Sequence, residues 1–323
     1  MQTILIRFLS HARQLWPGLR HWMAAGPMVV ASMLMASGCG APYDKDSVDR
    51  LFDGRQPPHL SSYVVDKRSI HYAEVGSIDK PLVIFIHGTP GSWKAFAGYL
   101  ADPALSERAH MIAVDRPGFG DSGYKNIVPS LKQQAALLRP LLEKDQTGCG
   151  AILVGHSLGA PLAARMAMDF PDLVGGLVLV APSLDPDLEN PRWYNWAATY
   201  YVVSWAVPTP LMLANKEVMA LHRELQNMVP LWKSISVPVV VIQGEADELV
   251  MPANADFAER MVHSRLKMVR VPEAGHFILW KHPEIIEKEI RAFVDEQSSL
   301  HQNGCRTGRV GDAIQLNSVA KYR

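Results

Sequence analysis

Apolar residues along this chain fall into short unbroken runs at 82–86, 111–114, 151–154, 176–181 and 237–242, with a more mixed run at 266–271. Runs of that length, bounded by glycine, proline and acidic residues, read as buried strands rather than helices. Residues 61–65 and 70–75 instead alternate apolar and polar positions, the pattern of a hairpin. Ala160 to Ala167, after the third run, reads as a helix. Several runs end in a polar, turn-rich segment: His87 to Trp93, Asp115 to Gly123, Gly155 to Gly159, Gly244 to Asp247 and Gly275 to Phe277. Polar groups that follow successive strands can gather on one edge of a sheet, where open α/β sheets bind ligands.

Gly155-His156-Ser157-Leu158-Gly159 carries the most chemistry. A sharp strand-to-helix turn lifts a serine hydroxyl clear of the sheet, and small neighbours let the backbone turn without Cβ clashes. The helix N-terminus beneath it favours negative charge. The pentapeptide alone arises by chance and would then be a glycine-rich turn with a surface serine. A strand before it and a helix after it point to a nucleophile.

The motifs HGTPGSW, DRPGFGDSG, GHSLG, GEAD and GHF, in that order from 87 to 277, resemble those of the α/β-hydrolase superfamily, of its smaller lid-bearing esterase and peptidase type. With flanking strands the resemblance covers about 60–297. It implies an α/β-hydrolase fold: a mostly parallel central sheet flanked by helices, with a helical lid insertion. Ser157, Asp247 and His276 follow the family's serine, acid, histidine order. A serine hydroxyl needs a base, and His276 is the expected one because imidazole titrates near neutral pH. Asp247 is the expected carboxylate partner of the imidazole, with Asp185 as the alternative, since some related hydrolases take their acid from that strand. By motif position the N–H groups of Thr89 and Leu158 would form the oxyanion hole, whereas Pro90 has no N–H to give. His87 reads as a loop histidine bonded to backbone. Asp115 and Arg116 read as ion-paired groups that tie their loop.

The insert at about 183–236 contains four of the chain's tryptophans, Trp193, Trp196, Trp205 and Trp232, with Tyr194, Tyr200 and Tyr201. Family resemblance makes it a lid, and Trp193, Trp196 and Trp205 are candidates to line an apolar pocket. The alternative is that these aromatics pack the lid onto the main domain.

With 323 residues, 48% hydrophobic and 20% charged, the chain suits one large globular domain, expected at 61–297. A net charge of zero gives no basic surface for nucleic acid. Three cysteines, Cys39, Cys149 and Cys305, make no disulfide framework, and neither metal-ligand spacing nor a cofactor motif occurs. Residues 1–39 have a basic start, an apolar small-residue stretch and then Ala36-Ser37-Gly38-Cys39, the layout of a secretory signal or N-terminal anchor. The last four resemble a bacterial lipoprotein signal in which Cys39 would be lipidated, although Ala36 stands where such signals carry leucine. Export to the cell envelope with membrane anchoring is the expectation. Residues 40–60 read as a linker and 298–323 as a loose tail.

The expected activity is serine-dependent hydrolysis of small or medium apolar acyl esters, without a cofactor. A serine at 157 disfavours dehalogenation and epoxide opening, which in this fold use a carboxylate nucleophile. Amide, peptide or carbon–carbon bond hydrolysis would use the same three residues. A non-catalytic surface-anchored binding protein on a hydrolase scaffold is the alternative of a different class.

Overall fold

The computed structural model describes residues 45–191, 195, 196, 198, 207–302 and 305. The expected leader with Cys39, and Trp193 and Trp205 of the insert, lie outside the described residues. The runs read as strands form one eight-stranded sheet in the order β1-β2-β4-β3-β5-β6-β7-β8. The strands are β1 (His59–Val65), β2 (Arg68–Val75), β3 (Leu82–Ile86), β4 (His110–Val114), β5 (Ala151–His156), β6 (Val174–Val180), β7 (Val239–Gly244) and β8 (Leu266–Val271). β2 pairs antiparallel with both neighbours, and every other pairing is parallel. Asp66 and Lys67 both have positive φ, 48° and 61°, the turn geometry that matches the twist of a two-residue hairpin between β1 and β2.

Every residue of β3, β4, β5 and β7 is buried. Alternate side chains feed two separate cores: Ile84, Leu153 and Val241 face one side, Phe85, Val154 and Ile242 the other. That two-sided burial requires helices on both faces. They include α1 (Lys45–Leu51), α2 (Leu131–Leu142), α3 (Gly159–Asp169), α4 (Thr209–Met228), α5 (Ala253–Met261) and α6 (Pro283–Gln302). Among the described residues no helix is long and apolar enough to cross a membrane.

The strand order reverses beside β3. The chain goes from β3 to β4 on one side, then returns to β5 on the other. Connections leaving the carboxyl ends of β3 and β5 therefore diverge and open a crevice, the usual ligand position in such sheets. Ile86 pairs with Gly155 across this junction, so the two strands end level.

Three segments differ from the sequence reading. The expected linker at 40–60 contains α1, because Val48 and Leu51 share one helical face and, with Phe52 just beyond it, pack onto the core. The expected loose tail begins inside α6, which runs to Gln302. Its last turn is polar, so hydrophobic periodicity fades before the helix ends. The Ser298 and Ser299 hydroxyls donate to Val294 O and Asp295 O. Two of the three cysteines are also paired. Cys149 and Cys305, with Cα atoms 5.2 Å apart, form a disulfide that ties the chain beyond α6 to the segment before β5. A separation of 156 residues hides that pairing from any spacing rule.

Candidate active site

Ser157 sits between the last residue of β5 and the first turn of α3 with φ at 55°, a left-handed conformation costly for a residue with a side chain. The fold holds it there: Ser157 N donates to Val180 O at 2.9 Å, and Ala160 N donates to Ser157 O at 3.1 Å. Two glycines make room. A Cβ on Gly159 would strike Ile86 O of β3, and a Cβ on Gly88 would lie 2.9 Å from the Ser157 Cβ. The loop after β3 thus lies directly against the serine.

The loops after β7 and β8 are clasped together, with Ala246 N donating to Ala274 O at 3.0 Å and Glu245 N to Val271 O at 3.0 Å. Asp247 is buried. Its Oδ1 accepts from Leu249 N at 2.9 Å and Val250 N at 2.8 Å, and its Oδ2 lies 2.9 Å from His276 Nδ1. A carboxylate accepts, so Nδ1 carries the proton and Nε2 keeps its lone pair. Ser157 and His276 are linked through His156, the serine's chain neighbour. His156 Nε2 donates to His276 O at 3.1 Å, and the two imidazole rings lie 5.0 Å apart. Burial, reinforced by the neighbouring His276, pushes the His156 pKa down to about 3. His156 is therefore neutral with its proton on Nε2. Trp280 meets its ring edge-on at 5.2 Å.

His87 is fully buried, and its Nδ1 donates to Gly88 O at 2.7 Å while Nε2 accepts from Arg116 N at 3.0 Å. Burial, together with the Arg116 charge, holds it well below the ordinary imidazole range, so it too is neutral. Arg116 Nη2 also donates to Gly88 O, at 2.9 Å. A trans peptide plane sets C=O and N–H in opposite directions. With Gly88 O held by His87 and Arg116, Thr89 N–H points the other way, and it makes no backbone hydrogen bond among the described residues. Leu158 N–H stands at the N-terminus of α3, among donors the helix cannot satisfy itself.

The remaining candidates disperse. Asp185 accepts from Asp187 N at 3.0 Å and pairs with Arg260 at 3.3 Å, away from His276. Asp115 and Arg116 take different partners rather than each other: Asp115 accepts from Trp93 N, Asp121 N and His71 Nδ1. Trp196 is 56% exposed. Trp232 is buried edge-on against Phe257 at 5.8 Å, a packing role. Sequence reasoning missed Asn254, whose Oδ1 accepts from Leu184 N and Asp185 N and so ties the loop after β6 to α5. It missed Glu217 as the partner of Arg116. Neither carries a motif, and both act through long-range contacts.

Residues 83–289 match the model of the alpha/beta hydrolase family. A 2-(acetamidomethylene)succinate hydrolase of Mesorhizobium japonicum is 27% identical over 279 residues, covering 73% of this chain and 96% of the relative. Over 106 residues, 31% of this chain and 32% of the relative, an esterase of Mycobacterium tuberculosis is 40% identical. Among solved structures, E-2-(acetamidomethylene)succinate hydrolase superposes with a TM-score of 0.55 at 26% identity, over 73% of this chain and all (100%) of that one. Cfl2 of Burkholderia cenocepacia, at 20% identity and a TM-score of 0.61 over 73% of this chain and 95% of its own, shares the fold.

Two buried neutral histidines make the fold sensitive to acid. Below about 6.5, the ordinary imidazole value, the unfolded chain protonates His87 and His156, while the folded chain holds His156 neutral down to about 3. The unfolded state then binds more protons, so stability is fully present above pH 6.5 and falls as pH drops. The slope approaches about 1.4 kcal/mol per pH unit for each histidine. Urea midpoints between pH 7 and pH 5 should fall accordingly, and more gently in His156→Gln. A pH-independent wild-type midpoint over that window would contradict the burial of these rings as neutral groups.

Proposed function

The chain belongs to the alpha/beta hydrolase family, and from that membership we propose that it is a serine hydrolase acting on carboxylic esters. The observation that carries this reading is the 2.9 Å contact between Asp247 and His276 Nδ1, which leaves Nε2 as a base on a loop tied to the residue before Ser157. In this mechanism His276 Nε2 takes the Ser157 proton as Oγ attacks the acyl carbonyl carbon. Asp247 stabilises the imidazolium that forms. Negative charge on the carbonyl oxygen is met by Thr89 N–H and Leu158 N–H. Collapse expels the alcohol, which takes the proton from His276 and leaves an acyl-enzyme. Water, deprotonated by the same imidazole, then releases the acid.

A serine at 157 favours acyl transfer over the carboxylate-dependent chemistries of the fold. Small or medium apolar acyl groups fit an insert rich in aromatics, which we read as a lid. Trp193, Trp196 and Trp205 are its candidate lining residues. Amide hydrolysis is the second reading, favoured by the relative named for 2-(acetamidomethylene)succinate. An acidic substrate would need a cation. Among the described residues the guanidinium beside Gly88 is already paired with Glu217, which favours an uncharged ester.

Kinetics on a panel of chromogenic esters and anilides tests the assignment. Ser157→Ala and His276→Ala should each lower kcat by about 10³-fold or more, and the double variant little further, because the two act as one unit. Asp247→Asn should be severe and Asp185→Asn mild. Near-normal turnover in His276→Ala would remove the proposed base, and anilides hydrolysed faster than esters would favour the amide reading.

Export to the cell envelope with lipidation at Cys39 is also part of the proposal. It is supported by the Cys149–Cys305 pair, a linkage typical of oxidising compartments. In a bacterial host, labelled fatty acid should enter the wild type and not Cys39→Ser. Mature protein retaining Met1 in the cytoplasmic fraction would defeat this part.

A further inference from the structure

Arg116 and Glu217 form an ion pair whose side chains are 0% and 1% exposed. Arg116 lies after β4, and Glu217 lies on α4 in the insert. The contact is two-pronged: Nη1 donates to Glu217 Oε1 at 2.7 Å and Nη2 to Oε2 at 2.9 Å. Gln134 of α2 completes the cluster, accepting from Arg116 Nη1 at 3.1 Å and donating to Glu217 Oε1 at 3.1 Å. The Phe119 ring lies 4.8 Å from the guanidinium carbon. Two helical turns further along α4, Glu224 accepts from Leu131 N at 2.7 Å and Ser130 Oγ at 3.1 Å, at the start of α2. Glu217 and Glu224 therefore dock one face of the insert helix onto the main domain, beside the buried Leu221 and Leu225.

Taking two charges out of water is expensive, and a well-packed apolar pair of the same volume would hold α4 equally well. What an apolar pair could not supply is the N–H that Arg116 Nη2 directs onto Gly88 O at 2.9 Å. That carbonyl belongs to the peptide whose N–H is on Thr89, and Gly88 lies against Ser157. A positive group on the carbonyl oxygen holds the peptide plane and, by polarising it, strengthens the opposite N–H as a donor.

We infer that Arg116 is a positioning residue for the oxyanion hole, and that Glu217 of the insert holds it in place. Docking of the insert would thereby set how strongly the main domain stabilises the developing oxyanion. This rests on the serine-hydrolase reading above. Glu217 touches neither substrate nor the reacting atoms, and acts through Arg116 on Gly88 and Thr89.

The test compares Glu217→Gln, which keeps shape but removes the charge, with the double variant Arg116→Met/Glu217→Leu, which replaces the pair by apolar groups. Each is assayed for p-nitrophenyl acetate turnover and thermal unfolding. Loss of one oxyanion donor costs about 10²–10³-fold in kcat, so a displaced donor should cost the double variant about 10–10²-fold, with KM little changed. Because the double variant leaves the buried Gln134 Oε1 without its Arg116 donor, its melting temperature should fall, so kcat is read well below that temperature, where Glu217→Gln should lie between the wild type and the double variant. A double variant with wild-type kcat would overturn the inference and leave the hydrolase reading intact. Turnover that survives in Ser157→Ala would overturn both. A wild-type structure with a trifluoromethyl ketone adduct tests the geometry without any substitution at the pair. The adduct oxygen should lie on Thr89 N–H with Arg116 still on Gly88 O, and a flipped Gly88–Thr89 peptide would overturn the inference.

Discussion

Where β3 and β5 end side by side, two backbones approach so closely that the positions between them must lack a side chain. Gly159 faces Ile86 O, and Gly88 faces Ser157. The reversal of strand order at this junction creates the crevice, and the close approach brings the β3 loop within reach of the serine. The other parts of the site depend on that meeting. The loop after β3 can lie against the serine only because Gly88 carries no side chain there. The left-handed backbone of Ser157 persists because β6 and α3 hold both its N–H and its C=O.

Around this junction several buried polar side chains, His87, Arg116, His156 and Asp247, are held by hydrogen bonds to neighbouring loops. His87 and His156 are held neutral by burial, and each donates one N–H to the carbonyl of a loop that matters: Gly88 in one case, His276 in the other. Asp247 is buried at little cost because two backbone N–H groups and an imidazole meet its oxygens. Asp185 has its own cation in Arg260 and is not aimed at His276. The difference between these two acids is one of local donors rather than residue type.

The strands and the polar segments that end them are legible in the sequence because buried parallel strands leave unbroken apolar runs, and because the turns after them use glycine, proline and acids. The same local signals place Ser157, Asp247 and His276 at strand ends, and the structure brings Asp247 and His276 into contact. Contacts between distant segments leave no such trace. Glu217 sits in an ordinary amphipathic helix and meets Arg116 about a hundred residues away in sequence. Cys149 and Cys305 are more remote still, 156 residues apart. α1 is hidden by its brevity, since only Val48 and Leu51, with Phe52 just beyond it, show its apolar face, and the end of α6 by its polar last turn.

The central claim is that Ser157 is a nucleophile made reactive by its surroundings. Treatment with a fluorophosphonate, followed by intact mass measurement and peptide mapping, tests it directly. One adduct per chain, on the peptide carrying Ser157 and absent after prior unfolding in urea, is the predicted result. An unmodified protein, or an adduct on another residue, would contradict it.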